Sequence, residues 1–392
     1  MGWTPPVLCA ASSCQAESWV WRQHNERKES DMHPTTAAID LAKNVFQLAI
    51  ADCDHRVLEQ HRLTRSQFMR FFENRNVQRI IMEACGSAHH WARTFNAHGI
   101  EVILLPPQYV RAYVRRNKTD AADAKALLEA ARDCDLRPVR VKSVEQQALQ
   151  ALHRTRSLWM ATRTARINAL RGFCREFGLH IPVGARTGVE AISRAVADDQ
   201  SALPELLRPT LRLLLDEIRV LETRIAQTER SIAEAAANSS ACKLLMTIPG
   251  IGLLSSTAIS AATCGSVAHF TSARHFASWF GITPKENSSG ETRRLGRISK
   301  RGDKYLRMLL THGARSVLRA AASAQRQGRT LTGIRQWVIA LQARSHHNKA
   351  TCALANKIAR ICYAVLRDQT PFGQPAPRLN TKAQRQTFSV AQ

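Results

Sequence analysis

The chain has 392 residues, and its 56 Lys and Arg against 31 Asp and Glu give a formal charge of +25. A hydrophobic fraction of 44% over that length allows two or three domains with cores of their own. No run approaches the roughly 18 apolar residues that a spanning helix needs, so arginine spread over most of the chain points to an extended anionic partner, most simply nucleic acid.

The ten cysteines include no CxxC pair, which argues against a zinc knuckle or a disulfide framework and for reduced thiols in a cytoplasmic protein. Residues 1–32 differ from the rest, with Pro5, Pro6, Cys9, Cys14 and three tryptophans ahead of a charged stretch. They lack the charged start and apolar core of a signal peptide. They are expected to be an extension without ordered structure, the patterned chain beginning near Met32.

Residues 33–135 read as an α/β domain. Thr36–Leu41 and Val45–Ala51 are strands joined by a tight turn at Lys43–Asn44, and Arg56–Leu63 is a third. Ser66–Asn74 is expected to be helical, with Phe68, Phe71 and Phe72 on one face. Arg79–Ala84 and Glu101–Leu105 are apolar runs of the buried-strand kind, separated by a helix over Ala88–His98. Three strands, helix, strand, helix, strand, helix is the order of a mixed sheet covered by helices.

Acids sit at particular points of that scheme. Asp40 interrupts the first strand and Glu83 ends the fourth, and an acid in an apolar strand is costly unless paired or metal-bound. Asp120 and Asp123 lie three residues apart in the helical run RRNKTDAADAK, hence on one face, behind the cations Arg115, Arg116 and Lys118. A helix start with Thr119 as N-cap accounts for the same residues without a metal. Four converging carboxylates would repel one another without cations, which two Mg²⁺ ions supply in phosphoryl-transfer sites.

The segments AIDLAKNVFQLAI, IMEACGSAHHWAR and NKTDAADAKAL resemble the three acidic motifs of the DEDD transposases of bacterial insertion sequences, a family that includes the Piv-type DNA invertases. The resemblance implies an RNase H-like (RuvC-type) fold for residues 33–135, with Asp40, Glu83, Asp120 and Asp123 as catalytic metal ligands. It implies Mg²⁺, as two ions, for which Mn²⁺ substitutes.

Residues 136–240 read as a long helical region. Glu145–Phe177 carries apolar residues from Leu149 to Phe177 and arginines at 154, 156, 163, 166, 171 and 175. Few acids are interleaved, so Arg163, Arg166 and their neighbours are expected to hold a nucleic-acid backbone, a solvated basic face being the alternative. Gly178–Gly188 breaks this helix. Leu211, Leu214, Ile218, Leu221, Ile225, Thr228, Ile232 and Ala235 then recur at three- and four-residue steps, the seam of a coiled-coil arm. The seam can pack within the protomer or dimerise; dimerisation is expected, because strand exchange at two DNA breaks needs two active sites.

Residues 241–370 read as a mostly α C-terminal domain. Its turn Ile248-Pro249-Gly250-Ile251-Gly252 resembles a helix-hairpin-helix unit, where glycines let backbone N–H groups approach a phosphate, although a plain interhelical turn fits as well. Arg293–Arg307 holds Arg293, Arg294, Arg297, Lys300, Arg301, Lys304 and Arg307 against the single acid Asp303, an open phosphate-gripping loop leading into a helix over Asp303–Leu318. The block from Phe276 to Ala314 resembles the second domain of the same transposase family, which implies a nucleophilic serine at Ser289, with Ser288 beside it. Alone, Ser-Ser-Gly reads as a turn. His346 and His347, between helices at Ile334–Gln342 and Ala350–Leu366, lack a third ligand at suitable spacing and read as a polar connection. The Pro-, Gln- and Thr-rich residues 371–392 are expected to lack ordered structure.

The expected protein is thus a bacterial transposase or site-specific recombinase acting on donor and target DNA in the nucleoid, as a homodimer or homotetramer. The resemblance further implies an element-encoded guide RNA. A hydrolytic RNase H-like nuclease or junction resolvase, with Ser289 only structural, is one alternative. A non-catalytic nucleic-acid-binding protein is the other.

Overall fold

The computed structural model describes residues 35–52, 54–73, 75–113, 120–133 and 136–375, with Asp120 and Ala121 described by backbone alone. The expected 1–32 extension, the cations Arg115, Arg116 and Lys118, and the tail past 375 lie outside the described residues. Among the described residues no helix is long and apolar enough to cross a membrane. They divide into two compact units, 35–83 with 95–133 and 84–94 with 136–375.

In the first unit, β1 (Thr35–Leu41), β2 (Val45–Ala51) and β3 (Val57–Thr64) form an antiparallel meander. Helix α1 (Arg65–Glu73), β4 (Val77–Glu83), β5 (Glu101–Leu105), α3 (Pro107–Val110) and α4 (Asp120–Ala131) follow, and α2 (Ala88–Ala97), between β4 and β5 in the chain, is divided between the two units at Phe95. The sheet order is β3-β2-β1-β4-β5, with β4 parallel to both β1 and β5. This is the mixed sheet expected, and it is consistent with an RNase H-like fold. The small or branched residues Ala37, Ala38, Ile39, Leu48, Ile80 and Ile81 are wholly buried, as central strands covered by helices require. Polar VLEQHRLT, by contrast, leaves β3 an exposed edge. Phe68 meets Phe46 and Phe95 edge to face, while Phe71 sits outside that core against the Arg75 guanidinium.

The second unit is helical. Helix α5 (Val144–Glu176) starts on a reciprocal capping box between Ser143 and Gln146. Then come α6 (Ala185–Ala197), α7 (Arg208–Ala237), α8 (Ser240–Met246), α9 (Leu253–Thr263) and α10 (Ala273–Trp279). A short hairpin, β6 (Pro284–Glu286) and β7 (Leu295–Ile298), precedes α11 (Lys304–Arg326), α12 (Gly333–Ala343) and α13 (His347–Asp368). The sequence did not point to α6, whose Ile192 and Val196 enter a core with Ile167, Leu170, Leu211 and Ile218.

Two expectations change here. The seam of α7 is buried against the chain's own helices, chiefly α5, with Leu215 and Ala236 in place of Leu214 and Ala235. That surface is therefore occupied within one protomer and is not the free dimerisation face expected of it. The stretch 295–298, expected to be open loop, is strand β7 paired to β6.

The turn between α8 and α9 is drawn tightly against α11. A Cβ at Gly313 would overlap the Gly250 carbonyl oxygen, and Gly250 itself has a φ of 89°. Ile248 and Ile251 on either side are buried. This glycine turn serves helix packing.

Candidate functional site

Parallel pairing of β1 with β4 sets Ile39 beside Met82, so Asp40 and Glu83 are the next residues on adjoining strands and share a sheet face. Both are half-buried. Helix α4 packs over β1, β2 and β4 through Ala124, Leu127 and Leu128. Its direction follows from the turn after β2, where His55 Nδ1 bonds the Leu128 carbonyl at 3.1 Å. The end of β2 lies beside the start of β1, where Ala51 pairs with Thr36. Leu128 is therefore near the start of β1, and the N-terminal turn of α4, with Asp120 and Asp123, lies toward the end that carries Asp40 and Glu83.

Asp123 Oδ1 is buried and has no hydrogen-bond donor among the described residues. A desolvated carboxylate oxygen without a donor is costly, and a cation removes that cost. The donor set, all carboxylate, suits a hard divalent ion. Among the described residues no three His, Cys, Asp or Glu side chains gather as a finished metal site, and the Asp120 side chain is not one of those described. The elements carrying the four acids come to one part of the sheet, and Asp123 fits a metal there.

Ser289 is at the tip of the β6–β7 hairpin. Its backbone exchanges hydrogen bonds with Thr292 at 3.3 and 3.1 Å, and Gly290 turns the chain at a φ of 54°. The two serines are held differently. Ser288 Oγ donates to Glu286 Oε1 at 2.8 Å and accepts from the Arg294 N–H at 3.2 Å. Ser289 is exposed, and its hydroxyl makes no hydrogen bond among the described residues. The Ser288 hydroxyl and the Arg293 guanidinium, 3.1 Å away, hold the Glu286 carboxyl below the usual range.

The basic run divides as well. Arg293 is paired to Glu286, and Arg307 donates to the carbonyls of Phe280 and Gly302. Arg294, Arg297, Lys300, Arg301 and Lys304 are exposed and have no ion pair among the described residues. Of the six arginines of α5, Arg154 and Arg175 are likewise exposed, but three fare otherwise. Arg156, Arg163 and Arg166 face Glu229, Glu222 and Glu217 of α7 at 2.7, 3.5 and 2.9 Å. Rising numbers on one helix meet falling numbers on the other, so the pair is antiparallel. The acids missing from α5 arrive from α7, and Arg163 and Arg166, expected on a nucleic-acid backbone, are occupied by them.

One buried group gave no clear sequence signal beyond a histidine one residue past Leu152 on an apolar helix face. His153 bridges three helices: Nε2 is 3.0 Å from Thr257 Oγ and Nδ1 is 3.0 Å from the Tyr305 hydroxyl. Thr257 donates its own proton to the Leu253 carbonyl at 2.7 Å, so it accepts from Nε2–H and leaves Nδ1 to accept from Tyr305. Burial, reinforced by the Arg156 charge, pushes the imidazole down to about 4. Tyr305 lies just past Asp303, the N-cap whose Oδ1 accepts from the Leu306 N–H at 2.8 Å. A neutral histidine thus anchors the helix into which the basic run leads.

Comparison with known proteins shows the family. Residues 37–178 match the profile of the DEDD transposases of the IS110 group, and residues 242–329 match the one described as "Transposase IS116/IS110/IS902 family". The chain is 42% identical over 342 residues to a probable family 20 transposase of Pseudomonas aeruginosa, covering 87% of this chain and 99% of that protein. It is 35% identical over 358 residues to the transposase for insertion sequence element IS1111A of Coxiella burnetii, covering 90% and 96%. A pilin gene-inverting protein of Moraxella bovis is 27% identical over 363 residues, covering 87% and 98%.

Proposed function

The chain belongs to the IS116/IS110/IS902 family of DEDD transposases, and on that premise we propose that it cuts and rejoins DNA through a covalent link to Ser289. The observation that carries this reading is the difference between the two serines. Ser288 is committed to Glu286 and Arg294, whereas Ser289, at an exposed tip beside cations, has a hydroxyl without a hydrogen bond among the described residues, where those cations likewise make no ion pair.

Ser289 Oγ attacks a phosphodiester phosphorus. An Oγ–P bond forms, a P–O bond of the DNA breaks, and the serine proton ends on the released DNA hydroxyl. One phosphate ester replaces another, so a hydroxyl from a second DNA end can reverse the step and rejoin the strand without an energy source. Arg294, Arg297, Lys300, Arg301 and Lys304 hold the backbone by charge. Asp40, Glu83, Asp120 and Asp123 would hold Mg²⁺, as two ions, which when bound neutralise charge on the phosphate. The reading requires these carboxylates and Ser289 to reach the same phosphodiester, within one subunit or across two, and so extends to a homodimer or homotetramer. Selection of donor and target by a guide RNA belongs to the same proposal.

Ser289→Ala is expected to abolish both strand cleavage and the covalent protein–DNA adduct, read as a band retained on denaturing gels. A hydrolytic nuclease would still cut. Asp120→Asn is expected to lose cleavage while retaining fold and DNA binding, and a variant that recombined normally would remove the carboxylates from the mechanism.

A further inference from the structure

A groove of about 1360 Å³ runs along the second unit between β7, α12 and α13. It exceeds the roughly 300–1,000 Å³ of small-molecule sites. Its floor is apolar, formed by Ile282, Leu295, Ile361 and Val365, with Leu295 55% exposed. Its rim is cationic: Arg297, Lys300, Lys349, Lys357 and Arg360 line it, and Lys357 Nζ lies 4.0 Å from the Trp337 ring centroid. The one acid among the described residues of the lining, Asp368, is held by Arg367 through two bonds of 2.7 and 2.9 Å.

We infer that this groove holds an unpaired DNA strand, its bases on the apolar floor and its phosphates on the rim. The charge calls for a polyanion, and the floor selects the form of it. A duplex presents phosphates and groove edges outward, so laying it here would strip water from Leu295 and Ile361 with no apolar surface in return. An unpaired strand can turn its bases inward, the pattern of an apolar or aromatic platform inside a basic channel. Strand β7 belongs both to this groove and to the hairpin that carries Ser289, which makes the occupant the strand being cut or its displaced partner. The inference rests on the Ser289 reading for that continuity alone.

The test uses the full chain and fluorescence anisotropy with labelled oligo(dT) of about twelve nucleotides, oligo(U) of the same length and a matching duplex. The variants are Lys349→Glu/Arg360→Glu, both exposed, and Leu295→Asp, outside the core. Each is expected to weaken oligo(dT) binding about tenfold and duplex binding less than about twofold, with thermal unfolding unchanged. Equal losses on oligo(dT) and duplex, no loss on oligo(dT), or a loss confined to oligo(U) would overturn the inference. Ser289→Ala protein keeps its oligo(dT) affinity, so a failure of the groove is read separately from a failure of the covalent chemistry, which the adduct assay reports.

Discussion

Two stretches of this chain carry dense arginine, and the fold uses them in opposite ways. On α5, Arg156, Arg163 and Arg166 are paired with acids of α7, and Arg171 donates to the carbonyls of Pro182 and Gly184. Along β7 and into α11, Arg294, Arg297, Lys300, Arg301 and Lys304 face solvent with no ion pair among the described residues. Both runs are poor in local acids, the open one holding only Asp303 between Arg293 and Arg307. The difference is made by a partner helix more than fifty residues away in one case (Arg166 to Glu217) and by a two-stranded hairpin whose one ion pair among the described residues is Glu286 with Arg293 in the other. Positive charge marks a nucleic-acid surface only where the tertiary structure leaves it unneutralised.

The sharpest way to break this contrast is charge reversal on the open run. Arg294→Glu/Arg297→Glu/Arg301→Glu is expected to lower DNA affinity about a hundredfold and the salt slope by about three, with stability unchanged, in binding titrations over a range of salt. Loss of fold instead of affinity would mean that these residues are structural after all.

The next effect tests whether α5 is a packing element. His153 titrates near 4 in the folded protein against an ordinary 6.5. Between those values the unfolded chain binds a proton that the folded chain does not, so stability is full above about 6.5 and falls as pH drops toward 4. Denaturant unfolding is expected to lose on the order of 2 kcal/mol from this group between pH 7 and pH 5. His89, also pushed down to about 4 by burial, adds a loss of the same sign. His153→Gln should flatten part of the slope; an unchanged slope would detach the histidine from it.

The smallest effect is expected on the paired run. Arg163→Ala and Arg166→Ala should each lower stability by about 0.5–1 kcal/mol, since both pairs are partly exposed, and change DNA affinity less than about twofold. If this pair weakened DNA binding as strongly as the open run does, the contrast would vanish.

Much of the first unit was legible in the residues. Period-two and continuous apolar runs located β1, β2, β4 and β5, and the acids that interrupt them, Asp40 and Glu83, proved to be neighbours across a parallel pair. The edge strand began one residue later than the pattern indicated, because nothing buried marks its limits. Helix α6 was missed because its glycine-marked start reads as loop, and its apolar residues make sense only against α5 and α7. Ser289 was reached through the resemblance of its block. The hairpin that frees it while tying down Ser288 rests on cross-strand bonds between Asn287 and Arg294 and between Ser289 and Thr292, which no short-range pattern announces.

By itself the sequence determined the mixed sheet, the long helices and the excess of cations, because these depend on local periodicity and on residue chemistry, while the four acids were singled out by the resemblance of their motifs. Only the tertiary structure decided which cations stay free, that the α7 seam is filled from within the protomer, that a buried neutral histidine anchors α11, and that an apolar groove lies beside the serine hairpin. Each of those depends on which distant surface removes water or charge from a residue, and burial and pairing are properties of two segments together.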